Sequence, residues 1–143
     1  MTLIKSISGI RGTIGGKAGQ GLTPPDILKF TAAFGKWMLS KTNNPKIVIG
    51  RDARISGTMV NNLVTGTLQS LGIEVIDLGL STTPTVEIAV PLEHAGGGII
   101  LTASHNPKEW NALKLLNHKG EFISDADGKE VLQLAEQEFD YVN

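Results

Sequence analysis

Lys46-Ile-Val-Ile-Gly50 is a short run dominated by β-branched residues, the pattern of a buried strand. A second run of this kind, Ile73-Glu-Val-Ile-Asp77, follows about twenty residues later. Between them, apolar residues recur at helical spacing from Val60 to Leu71, and Gly72 provides a stop signal. A strand, a helix and a strand in this order predict a βαβ unit, which is the building block of an α/β sheet.

The same alternation extends on both sides of this unit. Thr23-Pro-Pro-Asp26 has the caps of a helix start, and this helix is predicted to run to about Ser40. Before it, residues 1–22 predict a short strand followed by a glycine-rich loop. Further elements are predicted on the C-terminal side: a helix over 84–92, a buried strand over 98–102, a hairpin of 112–116 with 121–123, and a helix over 125–139. We expect one α/β domain, a three-layer α/β/α sandwich with a mixed, mostly parallel sheet.

Length and composition exclude several classes of protein. The chain has 143 residues, 41% of them hydrophobic and 19% charged, which suits one folded domain. The absence of cysteine excludes a disulfide scaffold, a thiol nucleophile and any cysteine-ligated metal. Aromatic residues are only 5%, too few for a nucleic-acid stacking platform. With no membrane-length apolar run and no signal-peptide pattern, we expect a cytoplasmic protein without a membrane or nucleic-acid partner.

Two polar segments follow predicted strands, where α/β proteins bind their ligands. In Gly50-Arg51-Asp52-Ala53-Arg54, two arginines flank an aspartate that can fix one guanidinium, leaving a positive cradle. In Thr102-Ala103-Ser104-His105-Asn106-Pro107, a serine is presented at the tip of a rigid strand beside a possible proton carrier. The simpler interpretations are a local ion pair and an Asn-Pro turn. No Gly-x-Ser-x-Gly surrounds Ser104, so the motif of a serine hydrolase is absent.

A third segment, Ser8-Gly9-Ile10-Arg11-Gly12-Thr13, places an arginine between glycines. Glycines let the backbone approach an anion, and a guanidinium holds phosphate through two parallel hydrogen bonds. The same pattern is also common in plain surface loops, so alone it does not identify a site.

Taken together and in this order, the three segments resemble the N-terminal α/β/α domain, domain I, of the α-D-phosphohexomutases. This family comprises phosphoglucomutase, phosphomannomutase and phosphoglucosamine mutase. The stretch 102–107 is similar to the family's phosphoserine loop, and the likeness covers essentially the whole chain, residues 1–143. One departure is Trp110-Asn111-Ala112, where the family often has Tyr-Asn-Gly.

The resemblance implies that Ser104 carries a phosphoryl group. It would pass this group to a hexose monophosphate, giving a bisphosphorylated sugar, and take the other phosphate back. Arg11 would stabilise the transferring phosphate, Lys114 would be the general base, and His105 a second acid/base or positioning group. Residues expected to bind substrate or phosphate are Arg51, Arg54, Asn106 and Thr102. Lys114 on its own would be interpreted as a solvated strand lysine.

The resemblance also implies partners outside this chain. Members of the family have four domains, and an Asp-rich loop of domain II holds Mg²⁺ together with the Ser104 phosphate. We therefore expect this chain to be domain I without domains II–IV, to bind Mg²⁺ weakly and to lack turnover by itself. The hexose, whether glucose, mannose or glucosamine phosphate, would be selected by a loop outside this chain.

Two other functions compete with this hypothesis. One is a non-catalytic module that binds sugar phosphates or nucleotides through Arg11, Arg51 and Arg54. The other is a receiver-like signalling domain, which needs an acidic pocket and a phospho-acceptor aspartate at the strand ends. The predicted strand ends offer arginine and serine instead.

Overall fold

A six-stranded mixed sheet with helices on both faces forms the framework of the computed structural model, which describes residues 1–6, 9–138 and 140–142. The strands are β1 (Ile4–Ser6), β2 (Gly9–Thr13), β3 (Lys46–Arg51), β4 (Glu74–Leu80), β5 (Gly97–Leu101) and β6 (Trp110–Leu116). The helices are α1 (Pro24–Lys41), α2 (Gly57–Ser70), α3 (Thr83–Leu92) and α4 (Asp125–Leu134).

The strand order is β1-β2-β6-β5-β3-β4. Strands β5, β3 and β4 are parallel to their neighbours in this group, as the βαβ pattern predicts. The pairings β1–β2, β2–β6 and β6–β5 are antiparallel. The α/β class and the mixed sheet are therefore confirmed. The share of parallel pairing is smaller than predicted, because only two of the five described strand pairs are parallel.

The excess of antiparallel pairing comes mainly from the N-terminal segment. Most of the stretch 9–13 was predicted as loop on its glycine content, but it forms β2 and lies between β1 and β6. Gly9 has a φ of +145°, and a Cβ there would lie 2.1 Å from the carbonyl oxygen of Leu113. The glycine thus permits a close strand pairing rather than a loop. Ser8, also in the predicted phosphate segment, lies outside the described residues.

Helices α1, α2 and α4 pack on one face of the sheet and α3 packs on the other, which gives the three predicted layers. Strand residues alternate between the two cores: Ile47 and Ile49 join the larger one, while Val48 joins the one under α3. The same alternation in β6 sends Leu113 and Leu115 into the larger core. Lys114, which lies between them, therefore projects from the face that carries α3.

Helix boundaries agree with the sequence pattern except near the C-terminus. Helix α1 begins with the predicted capping box, in which the Thr23 N–H donates to the Asp26 carboxylate at 3.1 Å. Helix α4 ends at Leu134, five residues earlier than predicted; the predicted end, Phe139, lies outside the described residues. The second hairpin arm reduces to one bridge between Leu116 and Phe122.

Within the described part of the chain, no helix combines the length and apolar character needed to cross a membrane.

Candidate active site

A cavity of about 260 Å³ lies on the α3 face of the sheet, beside the loop that follows β5. We call residues 102–107 the serine loop. The cavity is lined by Arg11, Ala103, Ser104, His105, Asn106, Ala112 and Lys114. Five of the eight residues singled out in the sequence line this cavity, although they come from three separate segments of the chain.

Ser104 and Lys114 meet directly in this cavity. The Lys114 ammonium donates a hydrogen bond to Oγ of Ser104 at 2.8 Å. Lys114 is held by strand pairing, opposite Ile100 of β5 and Gly9 of β2. Ser104 has a φ of +48°, a left-handed conformation that costs a non-glycine residue about 1–2 kcal/mol. Strain of this kind persists only where surrounding contacts enforce it.

Arg11 supplies a second cation to the same cavity. It lies on β2, opposite Ala112 of β6, and its side chain is exposed. Within residues 1–6, 9–138 and 140–142, its guanidinium has no hydrogen-bond or ion-pair partner. The donor fork is therefore available for an anion in the cavity, where two parallel N–H donations suit a phosphate. His105 is exposed at the rim, and Asn106 completes the polar lining.

The Arg54 guanidinium makes hydrogen bonds within the protein and does not line the cavity. Its Nε donates to Asp52 at 3.2 Å, the ion pair expected from the sequence. Its Nη1 and Nη2 donate to four backbone carbonyls, those of Pro107, Trp110, Ser104 and Asn106, at 2.6–3.0 Å. A guanidinium has five N–H groups, and all five are used. Each of these N–H groups has an acceptor within the protein, and the expected role of Arg54 in binding substrate or phosphate stays a prediction.

Arg51 and Thr102 also lie outside the cavity lining. Arg51 ends β3 on the side of α2, where its Cδ and Nη1 approach Gly57. The alternation of side chains along β3 explains this placement, since the neighbouring Gly50 faces Ser81 and Val86 on the opposite side. Arg51 therefore lies outside the cavity that contains Ser104, and its expected role in binding substrate or phosphate stays a prediction.

Thr102 is 8% exposed and connects the two loops instead of contacting the cavity. Its hydroxyl donates to Asp52 at 2.6 Å and accepts from the Ser104 N–H at 3.2 Å. Sequence reasoning gave Thr102 a binding role, whereas the structure gives it two hydrogen bonds within the protein.

The sequence interpretation missed Asn111, a fully buried polar residue of β6. Its Nδ2 donates to Oγ of Ser56 at 2.9 Å, which ties β6 to the start of α2. A polar residue inside an otherwise apolar strand was the available signal, because buried polar groups need partners.

Magnesium requires oxygen ligands, usually including one or two carboxylates. The cavity lining contains no carboxylate, and the described residues hold no cluster of three or more His, Asp or Glu side chains that could bind a metal. The residues that the structure describes therefore do not by themselves fit a Mg²⁺ site.

Comparison with known proteins shows which family this chain resembles. The family model "Phosphoglucomutase/phosphomannomutase, alpha/beta/alpha domain I" matches residues 3–141. A phosphoglucomutase/phosphomannomutase of Thermococcus kodakarensis is 41% identical over 112 residues, covering 76% of this chain and 25% of the relative. A phosphoglucosamine mutase of Levilactobacillus brevis is 38% identical over 128 residues, covering 86% of this chain and 27% of the relative. This chain thus spans about a quarter of the length of these relatives.

A solved structure gives the same result for the fold. A candidate phosphomannomutase from Thermus thermophilus superposes with a TM-score of 0.83 at 27% identity, covering 94% of this chain and 30% of that one. The family model describes an α/β/α domain, and this chain has helices on both faces of its sheet over the matched residues 3–141. The chain therefore belongs to the phosphoglucomutase/phosphomannomutase family and corresponds to its α/β/α domain I.

Proposed function

We propose that this chain is the phosphoserine domain of a hexose-phosphate mutase, with Ser104 as the residue that carries the phosphoryl group. The observation that supports this proposal best is the 2.8 Å contact between Lys114 Nζ and Ser104 Oγ in a cavity shared with Arg11. Phosphoryl transfer depends mainly on positioning and on neutralising charge at the phosphate oxygens. Two cations beside one exposed hydroxyl provide both.

The proposed step balances as follows. The bond from Ser104 Oγ to phosphorus breaks while a bond from a sugar hydroxyl oxygen to phosphorus forms. As the bond from Oγ to phosphorus breaks, the Lys114 ammonium gives a proton to Oγ of Ser104, and the resulting amine takes the proton of the attacking sugar hydroxyl, so the lysine ends the step as it began. Arg11 stabilises the charge on the transferring oxygens. The reverse step, with the other phosphate of the bisphosphorylated sugar, restores phosphoserine.

The remaining parts of the reaction require residues outside this chain. We propose that domains II–IV complete the site, that an acidic loop of domain II supplies the carboxylates for Mg²⁺, and that the choice among hexoses is made there. The curated relatives, which are about three times as long as this chain, support this division.

The test uses the full-length enzyme that contains this domain. Incubation with a bisphosphorylated hexose is expected to add one phosphoryl group at Ser104, found by intact mass and peptide mass spectrometry. Ser104→Ala should abolish both the modification and turnover while hexose phosphate still binds. Ser70→Ala, on α2, is the control. Unchanged turnover in Ser104→Ala would refute the proposal, and binding without phosphorylation would favour the non-catalytic module.

A further inference from the structure

A closed ring of hydrogen bonds surrounds the backbone of Ser104. The Ser104 N–H donates to the Thr102 hydroxyl at 3.2 Å, and this hydroxyl donates to Asp52 at 2.6 Å. Asp52 accepts from Nε of Arg54 at 3.2 Å. The ring closes where Nη2 of Arg54 donates to the carbonyl oxygen of Ser104 at 2.9 Å. Both backbone polar groups of Ser104 are therefore fixed by the same network.

We propose that Asp52 and Arg54 are positioning residues for Ser104, holding its backbone in the left-handed conformation that directs Oγ toward Lys114. This inference rests on the proposed function, since it gives the serine its chemical task. A φ of +48° is unfavourable for serine, so the loop needs external contacts to keep it. The ring provides them from the loop that follows β3, the strand that pairs with β5 just before the serine loop.

The remaining donors of Arg54 extend this control along the loop. They reach the carbonyls of Pro107, Trp110 and Asn106, so one planar group joins the serine loop to the start of β6. The Arg54 side chain is only 11% exposed. A lysine cannot reproduce this pattern, because an ammonium has three donors at one point instead of five in a fixed plane.

The charges of the ring support positioning in place of phosphate binding. Asp52 offsets the charge of Arg54 within the ring, and each Arg54 N–H already has an acceptor. The cations that face the cavity are Arg11 and Lys114. Holding the nucleophile and neutralising the phosphate are thus assigned to different residues.

Nuclear magnetic resonance on this 143-residue chain tests the geometry without turnover. The HN–Hα coupling and the Cα and Cβ shifts of Ser104 report φ, and the wild type should show the left-handed values. Arg54→Lys and Thr102→Val should lose the left-handed signature of Ser104. The amide shifts of Ile99 and Val64, in the core, should stay as in the wild type and show that the fold is kept. Lys108→Ala, which removes a neighbouring cation outside the ring, should leave Ser104 unchanged.

Titration with inorganic phosphate adds a second readout. The side-chain signals of Arg11 should shift, whereas the Nη signals of Arg54 should not. A shift of the Arg54 signals, or a left-handed Ser104 in both ring variants, would overturn the proposal. If Arg54→Lys unfolds the chain, Thr102→Val decides, because it removes the ring contact and leaves the five Arg54 donors in place.

In the full-length enzyme, Arg54→Lys should lower kcat by about 10²-fold with little change in KM, since misplacement of a reacting group affects the chemical step. A change confined to KM would argue against positioning. Failure of the two proposals is distinguishable. Loss of the ring signature without loss of phosphorylation refutes positioning alone, and an intact ring on a serine that is never phosphorylated refutes the proposed function.

Discussion

Nζ of Lys114 lies 2.8 Å from Oγ of Ser104, although the two side chains are supported by different strands. Lys114 lies within β6, and Ser104 follows β5, its antiparallel neighbour. The pairing of Lys114 with Ile100 fixes the lysine beside the end of β5. The register of this strand pair therefore sets the position of Lys114 beside the serine loop.

The first prediction concerns the loss of this amine. Lys114→Met keeps the length of the side chain and removes its charge and proton-transfer capacity. In the full-length enzyme, we expect phosphorylation of Ser104 by a bisphosphorylated hexose to slow by about 10²–10⁴-fold, the usual contribution of a general acid–base group. Rapid-quench mass spectrometry measures this rate.

Lys108→Met is the matched control for that experiment. Lys108 is an exposed lysine near the same loop that does not line the cavity. Its removal should leave the rate within about twofold, since an exposed charge outside the site contributes little. A Lys114→Met enzyme as fast as this control would eliminate Lys114 as the proton carrier.

The second prediction tests the strand that carries Arg11. An alanine Cβ at Gly9 would lie 2.1 Å from the backbone oxygen of Leu113, and the φ of +145° is also unfavourable for alanine. Gly9→Ala should lower the free energy of unfolding by about 1–3 kcal/mol, the usual effect of overpacking. Chemical denaturation measures the loss, and weaker binding of inorganic phosphate should accompany it because β2 moves.

Gly66 is the control position, where substitution by alanine should stabilise the fold instead of destabilising it. It lies in α2, is exposed, and has nothing within 4 Å of a built Cβ. Gly66→Ala should therefore raise the free energy of unfolding by about 0.5–1 kcal/mol through helix propensity. Equal effects at the two glycines would contradict the close β2–β6 pairing.

Features that depend on local sequence patterns were predicted correctly. The features that were missed depend on which segments pair in the folded protein. Ser104, Lys114 and Arg11 were identified and lie together in the cavity. The roles of Arg51 and Arg54 could not be separated, because Arg51 ends β3 beside Gly57 while Arg54, in the loop that follows, donates to carbonyls of a distant segment. Strand β2 was missed since its glycines suggested a loop, and only its partner β6 reveals it as a strand.

The third prediction concerns the start of α1. Asp26 is 5% exposed and accepts hydrogen bonds from the backbone N–H groups of Gly19 and Thr23 and from the Thr23 hydroxyl. Asp26→Ala leaves the two buried Thr23 donors without this acceptor, so the free energy of unfolding should fall by about 2–3 kcal/mol. The exposed Asp125 in the first turn of α4 is the control, and Asp125→Ala should cost about 0.5 kcal/mol. Equal losses in the two variants would show that the Asp26 contacts add nothing beyond a helix-dipole effect.

The fourth prediction concerns which parts of the proposed site this chain supplies by itself: binding of phosphate, but not binding of Mg²⁺ or turnover. The cavity around Ser104 is lined by cations and neutral groups, and cations repel Mg²⁺. Calorimetric titration of the 143-residue chain with Mg²⁺ should show no saturable binding, and a coupled assay with hexose phosphates should show no turnover. Inorganic phosphate should still perturb the signals of Arg11 and Lys114, because both of these cations line the cavity within this chain. Saturable Mg²⁺ binding or substantial turnover by the chain alone would mean that its own residues complete the site, and the division of labour among domains would have to be abandoned.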